Sequence, residues 1–91
     1  MANIDIRHDE ERGRFVADLE GEDAYLEYSP AGEGRLDFTS TFVPPSHRHQ
    51  GIGERIVKHA LAYARERGYE VIPTCPFVRQ VIEEHPEYLE G

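Results

Sequence analysis

Between Leu36 and Ile72 the spacing of apolar residues changes twice, and that double change limits the fold more than any composition figure does. Leu36-Asp37-Phe38-Thr39-Ser40-Thr41-Phe42-Val43 alternates like a strand. Leu36, Phe38, Ser40 and Phe42 fall on one face, with Asp37, Thr39, Thr41 and Val43 on the other. Pro44-Pro45 ends regular pairing, because proline has no N–H to donate to a ladder. From about Gly51 to Arg67 the period becomes helical: Ile52, Ile56, Val57, Ala60, Leu61 and Ala64 form a stripe that fits a sheet. Gly68 supplies the stop, and Val71-Ile72 opens a short buried strand. Strand, helix and strand in this order predict a parallel crossover.

The remainder predicts an antiparallel meander and one more helix. Ile4, Ile6 and His8 alternate, Asp9 to Gly13 turns, and Phe15, Ala17 and Leu19 alternate again. Gly21-Glu22-Asp23 leads into Tyr25-Leu26-Glu27-Tyr28, and Ser29-Pro30-Ala31-Gly32 turns the chain once more. A short C-terminal helix is expected from Phe77 to Glu84, burying Phe77, Val78, Val81 and Ile82, with Pro86 limiting it. The fold class is therefore α+β or α/β. The chain of 91 residues is expected to be one domain, 1–91, with a single core that needs no metal or disulfide staple.

Composition excludes several functions. One cysteine rules out an internal disulfide and a thiolate-rich zinc site. His47 and His49 lie two residues apart, with Cys75 and His59 elsewhere, so no metal site is expected. Ten basic residues against 18 acidic ones give a net charge of −8, which argues against nucleic-acid binding. That charge suits either a cationic amine steered by an acidic surface or plain solubility. No long apolar stretch indicates a membrane span, and no cleavable signal is visible at Met1-Ala2-Asn3, so a cytoplasmic protein is the expectation.

The chemistry concentrates in Arg48-His49-Gln50-Gly51-Ile52-Gly53, where the strand passes through a turn into the helix. A helix N-terminus presents unpaired N–H groups and the positive end of the helix dipole, a seat for phosphate or diphosphate. Glycines there let the anion approach and let the backbone turn tightly. The motif is neither Gly-x-Gly-x-x-Gly nor a Walker loop, and a helix that merely starts with two glycines is the alternative. Basic residues cluster nearby, but only Arg48 and Arg55 are close enough in sequence to matter for a phosphate.

Arg-x-x-Gly-x-Gly after a strand resembles the acetyl-CoA pyrophosphate loop of the GNAT superfamily of N-acetyltransferases. Val43-Pro44 before this loop, and Pro73-Thr74-Cys75 and His85-Pro86-Glu87-Tyr88 after it, occur in the order of the very small, single-domain acetyltransferase-like family within it, which the chain resembles. The resemblance extends over essentially the whole chain. It implies a minimal GNAT-like fold: a meander, a crossover with splayed parallel strands, and a short C-terminal helix. The implied function is acetyl-CoA-dependent transfer of an acetyl group to an amine; the alternative is a non-catalytic acyl-CoA-binding module.

The same resemblance assigns residues. Phe42, Val43, Arg48, His49, Gln50, Gly51, Ile52 and Gly53 would bind the CoA thioester, the pantetheine adding to a splayed strand edge. Cys75 would be catalytic, as an acetyl carrier or as an acid for the departing thiolate; the plainer reading is a small buried hydrophobe. Relatives commonly have histidine where Ser40 stands, so a histidine base from that position does not carry over. Relatives usually have glycine where His49 stands, which leaves His49 either on phosphate or in solvent. His85, with Glu83, Glu84 and Glu87, reads as a site for an incoming ammonium or as a helix cap. The acceptor amine and the oligomeric state are not specified; charges on the N-terminal edge strand oppose its pairing with another copy.

Overall fold

The computed structural model describes residues 4–90, so the signal-peptide reading at Met1-Ala2-Asn3 lies outside the described residues. Five strands form one sheet in sequence order: β1 (Ile6–Asp9), β2 (Arg14–Leu19), β3 (Glu22–Pro30), β4 (Arg35–Phe42) and β5 (Glu70–Ile72). The first four are antiparallel neighbours, and β5 lies parallel to β4. Two helices, α1 (Ile52–Glu66) and α2 (Pro76–Glu84), complete the regular structure, with single 3₁₀ turns at Pro45–His47 and Pro86–Leu89. The expected meander, crossover and short C-terminal helix are all present.

One face of the sheet makes the core. Ile52, Ile56, Val57, Ala60, Leu61 and Ala64 of α1 are buried, together with Phe15, Ala17, Ala24, Leu26, Leu36 and Phe38 of the strands and Val78 and Val81 of α2. The helix ends where Gly68, at φ 73°, takes the left-handed conformation that closes it. There Tyr69 N–H donates to the Ala64 carbonyl at 2.8 Å and Gly68 N–H to that of Arg65 at 3.2 Å. His8 is also drawn inward. Its ring lies flat on Phe15 at 4.2 Å, meets the edge of Tyr63 at 4.6 Å and hydrogen-bonds the Tyr28 hydroxyl. Burial holds the His8 pKa below its ordinary 6.5 and raises that of Tyr28 above 10.0.

Several expectations need correction. β3 runs from Glu22 to Pro30, longer than the expected Tyr25–Tyr28, because Leu19 pairs with Glu22 across a two-residue turn. The following turn consequently moves from Ser29–Gly32 to residues 31–34. The largest correction is in β4. Glu27 pairs with Ser40 while its neighbour Tyr28 pairs with Phe38, leaving Thr39 as a bulge. One extra residue reverses the side-chain parity, so Ser40 and Phe42 do not share the core face with Leu36 and Phe38. Thr41, opposite Leu26, and Val43, packed against the core, take that face instead. Phe42 pairs with Tyr25 on the opposite face, where no described helix packs.

Candidate functional site

The parallel strands part immediately beyond a short ladder. Arg35 pairs with Glu70, Leu36 with Val71 and Asp37 with Ile72, and β5 then ends although β4 continues to Phe42. Pro73 and Pro76 have no N–H to extend pairing, and Thr74 N–H turns back to the Ile72 carbonyl at 3.1 Å. A final bond from Cys75 N–H to the Phe38 carbonyl, 2.9 Å, holds the two segments together. From the bulge onward, the outer edge of β4 has no strand beside it. The splay implied by the resemblance is present in the fold.

A groove of about 480 Å³ opens at this end, between the last residues of β4, the N-terminus of α1 and the face of α2 that carries Phe77, Gln80 and Glu84. Its wall includes Phe42, Val43, Arg48, His49, Gly51, Ile52 and Gly53, seven of the eight residues expected to bind the cofactor. Gln50 is exposed and lies outside it. The backbone supplies the polar lining. Arg55 N–H makes the first helical bond, to the Gly51 carbonyl at 3.1 Å, and among the described residues no backbone or side-chain acceptor receives the N–H groups of residues 49–54. His49 at φ 66° and Gly51 at φ 77° are both left-handed, and a left-handed residue in a turn is one of the conformations that brings successive N–H groups to one side. The left-handed backbone gives glycine a conformational advantage at position 49, where this chain carries an exposed histidine.

The two loop glycines do different work. A Cβ on Gly51 would meet nothing within 4 Å, so its glycine is required by φ alone. Gly53 is buried in helical conformation, and a Cβ there would lie 3.0 Å from Cε2 and Cζ of Phe77 and 3.4 Å from Cγ2 of Val43. Gly53 therefore makes room for the Phe77 ring rather than for an anion. Phe77, expected in the core, is 38 % exposed and forms part of the groove wall. Its apolar character gave no sign of this, since a half-exposed aromatic and a buried one read alike in sequence.

Arg48 reaches back instead of outward: its Nε donates to the Val43 carbonyl at 3.0 Å, tying the end of β4 to the loop. Arg48 also lines the groove, and its guanidinium has N–H groups beyond the one given to Val43. Cys75 lies beyond β5, which ends at Ile72. It is the residue preceding α2, is 4 % exposed, and its Sγ lies 3.5 Å from Oγ1 of Thr41, which itself lines the groove. Cys75 thus stands one residue behind the groove surface. Ser40 faces away from it, its hydroxyl donating to Glu27 Oε1 at 2.8 Å.

Carboxylates close the far end. Glu54 and Glu84 line the groove, and His85 Nε2 is 3.5 Å from Glu54 Oε1 while its Nδ1 is 3.2 Å from Glu87 Oε2. The Glu87 carboxyl is held below its ordinary range by its own backbone N–H and then by His85. Glu54, Glu84 and His85 bring donor atoms within 4.8 Å of one another, a grouping that local spacing did not reveal because α1 joins it from a distant part of the sequence. Tyr88 stacks on the His85 ring at 4.7 Å, so the His-Pro-Glu-Tyr segment packs as a cap over α1 and α2.

No helix of the described residues is long and apolar enough to cross a membrane. The family model for GCN5-related N-acetyltransferases matches residues 14–90. A GCN5-like protein of Staphylococcus aureus, solved in solution by NMR, superposes with a TM-score of 0.75 at 24 % identity, over 97 % of this chain and 86 % of that one. No curated protein gives a match.

Proposed function

The chain belongs to the GCN5-related N-acetyltransferase family, and from that premise we propose that it is an acetyl-CoA-dependent N-acyltransferase acting on an amine. The observation that carries the reading is the unpartnered run of N–H groups at residues 49–54, most of whose residues line the groove beside the free edge of β4. The residues present fit the cofactor. The N–H seat and Arg48 suit its diphosphate, the free edge of β4 suits the amides of its pantetheine, and Val43 and Phe77 suit its apolar stretches. Bound acetyl-CoA supplies an activated thioester. The protein's own contribution is to hold that thioester and the amine together, which by itself removes much of the barrier.

Direct attack by the amine is the simpler route, because acetylation of Cys75 would require the buried thiol to leave its Thr41 contact. The decisive experiment follows CoA release with a panel of primary amines and looks for an acetyl adduct on Cys75 by mass spectrometry. Turnover with at least one cationic amine is expected, with no accumulating adduct. The burial of Cys75 also favours a second reading, a non-catalytic acyl-CoA-binding module. Tight CoA binding with no turnover on any amine would select that reading. A cytoplasmic setting accords with both.

A further inference from the structure

Three donor side chains meet at the end of the groove, where α1 begins and α2 stops. Glu54 stands in the first turn of α1, Glu84 is the last residue of α2, and His85 follows it. Their donor atoms all lie within 4.8 Å of one another. Zinc bonds of about 2.0–2.2 Å at tetrahedral angles set neighbouring donor atoms about 3.4 Å apart. His85 Nε2 and Glu54 Oε1, at 3.5 Å, already have that spacing. Glu84 is exposed, so a side-chain adjustment brings it to the other two. Gln80 Nε2 donates to its Oε2 at 3.3 Å, and its Oε1 has no hydrogen-bond partner among the described residues.

The histidine is held in place from three sides. Its Nδ1 is 3.2 Å from Glu87 Oε2, its ring stacks on Tyr88 at 4.7 Å, and its backbone N–H donates to the Val81 carbonyl at 2.8 Å. A neutral imidazole carries one N–H. Given to Glu87, that hydrogen leaves Nε2 as a lone pair beside a Glu54 oxygen, and two such acceptors attract only through a cation between them. A carboxylate on the other ring nitrogen is also what orients a metal-ligating histidine. Among the described residues no lysine or arginine forms an ion pair with Glu54 or Glu84. Lys58 lies over the Tyr88 ring instead, at 5.3 Å. Two carboxylates without a basic partner thus line the same groove as the N–H groups suited to an anion.

Resting on the N-acyltransferase reading above, we propose that Glu54, Glu84 and His85 hold a divalent transition-metal cation of zinc's class, which neutralises the acidic end of the groove for the CoA diphosphate. One imidazole and two carboxylates suit zinc better than magnesium, which prefers oxygen ligands in a strict octahedron. Three protein ligands leave a coordination position for water or a ligand group. Glu54 sits at the positive end of the α1 dipole, where alone it would compete with a diphosphate for the same N–H groups. Glu84 sits at the negative end of α2, where a cation is favoured. His47, His49, His59 and Cys75, the residues on which the sequence argued against a metal, are not in this set.

Calorimetry of the chelator-treated, untagged protein with ZnCl₂ tests the site without any acyl chemistry. Saturable binding of a single Zn²⁺ per chain is expected, undisturbed by millimolar Mg²⁺. His85→Ala should weaken it by about 100-fold, and Glu54→Gln and Glu87→Gln by about tenfold each, while the double variant His47→Ala/His49→Ala stays within about twofold. Circular dichroism melts of each variant verify folding. Acetyl-CoA, which has no free thiol to take the metal, should bind the zinc-loaded protein about fivefold more tightly than the zinc-free one, and His85→Ala should erase that ratio. No saturable Zn²⁺ binding, or binding that His85→Ala and Glu54→Gln leave unchanged, would overturn the site. Equal acetyl-CoA affinities with and without Zn²⁺ would overturn its neutralising role. Absence of acetyl-CoA binding in both forms would instead overturn the N-acyltransferase reading.

Discussion

The two ends of the β4–α1–β5 crossover are built from the same parts and finished in opposite ways. At the Gly68 end the strands pair through Asp37 and Ile72, and the terminal carbonyls of α1 receive N–H groups from Gly68 and Tyr69. At the Gly51 end the strands have parted, and the first N–H groups of α1, beside the groove, have no acceptor among the described residues. A helix leaves unsatisfied groups at both ends, so the contrast is specific to this fold. The closed end satisfies its own backbone, and the open end leaves backbone N–H groups unpaired, which is what the proposed cofactor seat needs.

The pair Gly51 and Gly68 lets this contrast be tested with a single substitution type. Both are left-handed, at φ 77° and 73°, and a Cβ at either meets nothing within 4 Å. Alanine should therefore cost each the same backbone strain, about 1 kcal/mol, or a fall in Tm on the order of 5 °C for a domain of this size. Only Gly51→Ala should also weaken CoA, by roughly tenfold or more, because its N–H belongs to the seat. Calorimetry on the two variants measures this. Equal CoA affinities would erase the distinction between the ends.

A smaller effect belongs to the closed end alone. His8, packed among Phe15, Tyr28 and Tyr63, has a depressed pKa, chiefly through burial. The unfolded chain thus binds a proton more readily than the folded one. The stabilising effect of neutral His8 is fully present above 6.5 and is lost as pH falls through that value toward the lower folded pKa. Melting temperature should decline from pH 7 to pH 5.5, and His8→Phe should flatten that decline. CoA affinity of the two proteins should keep the same ratio across the range.

Periodicity is most legible where it meets no interruption. The α1 stripe, the Gly68 stop and the parallel return at Val71 all follow from spacing. The bulge does not. Leu36 to Phe42 alternates without a break, so nothing in the side chains marks Thr39 as the residue left unopposed, and every position after it changes face. Site residues divide along the same line. Backbone-mediated ones, Gly51 and its neighbours, were visible because glycine and turn chemistry are local. Phe77 and Gln80 were hidden because they reach the groove only through packing of α2 against elements distant in sequence, whereas His85, which the sequence did single out, meets Glu54 but does not line the groove. Gly53 was visible for another reason than the one that makes it necessary, the space taken by Phe77.

The account rests on the free N–H groups at the start of α1. Backbone amide NMR during titration with CoA observes them one by one. The predicted result is saturable shifts concentrated at His49 to Glu54, with the amides at Gly68 and Tyr69 unmoved. Saturable shifts that leave residues 49–54 unchanged, or no shifts at millimolar CoA, would contradict it.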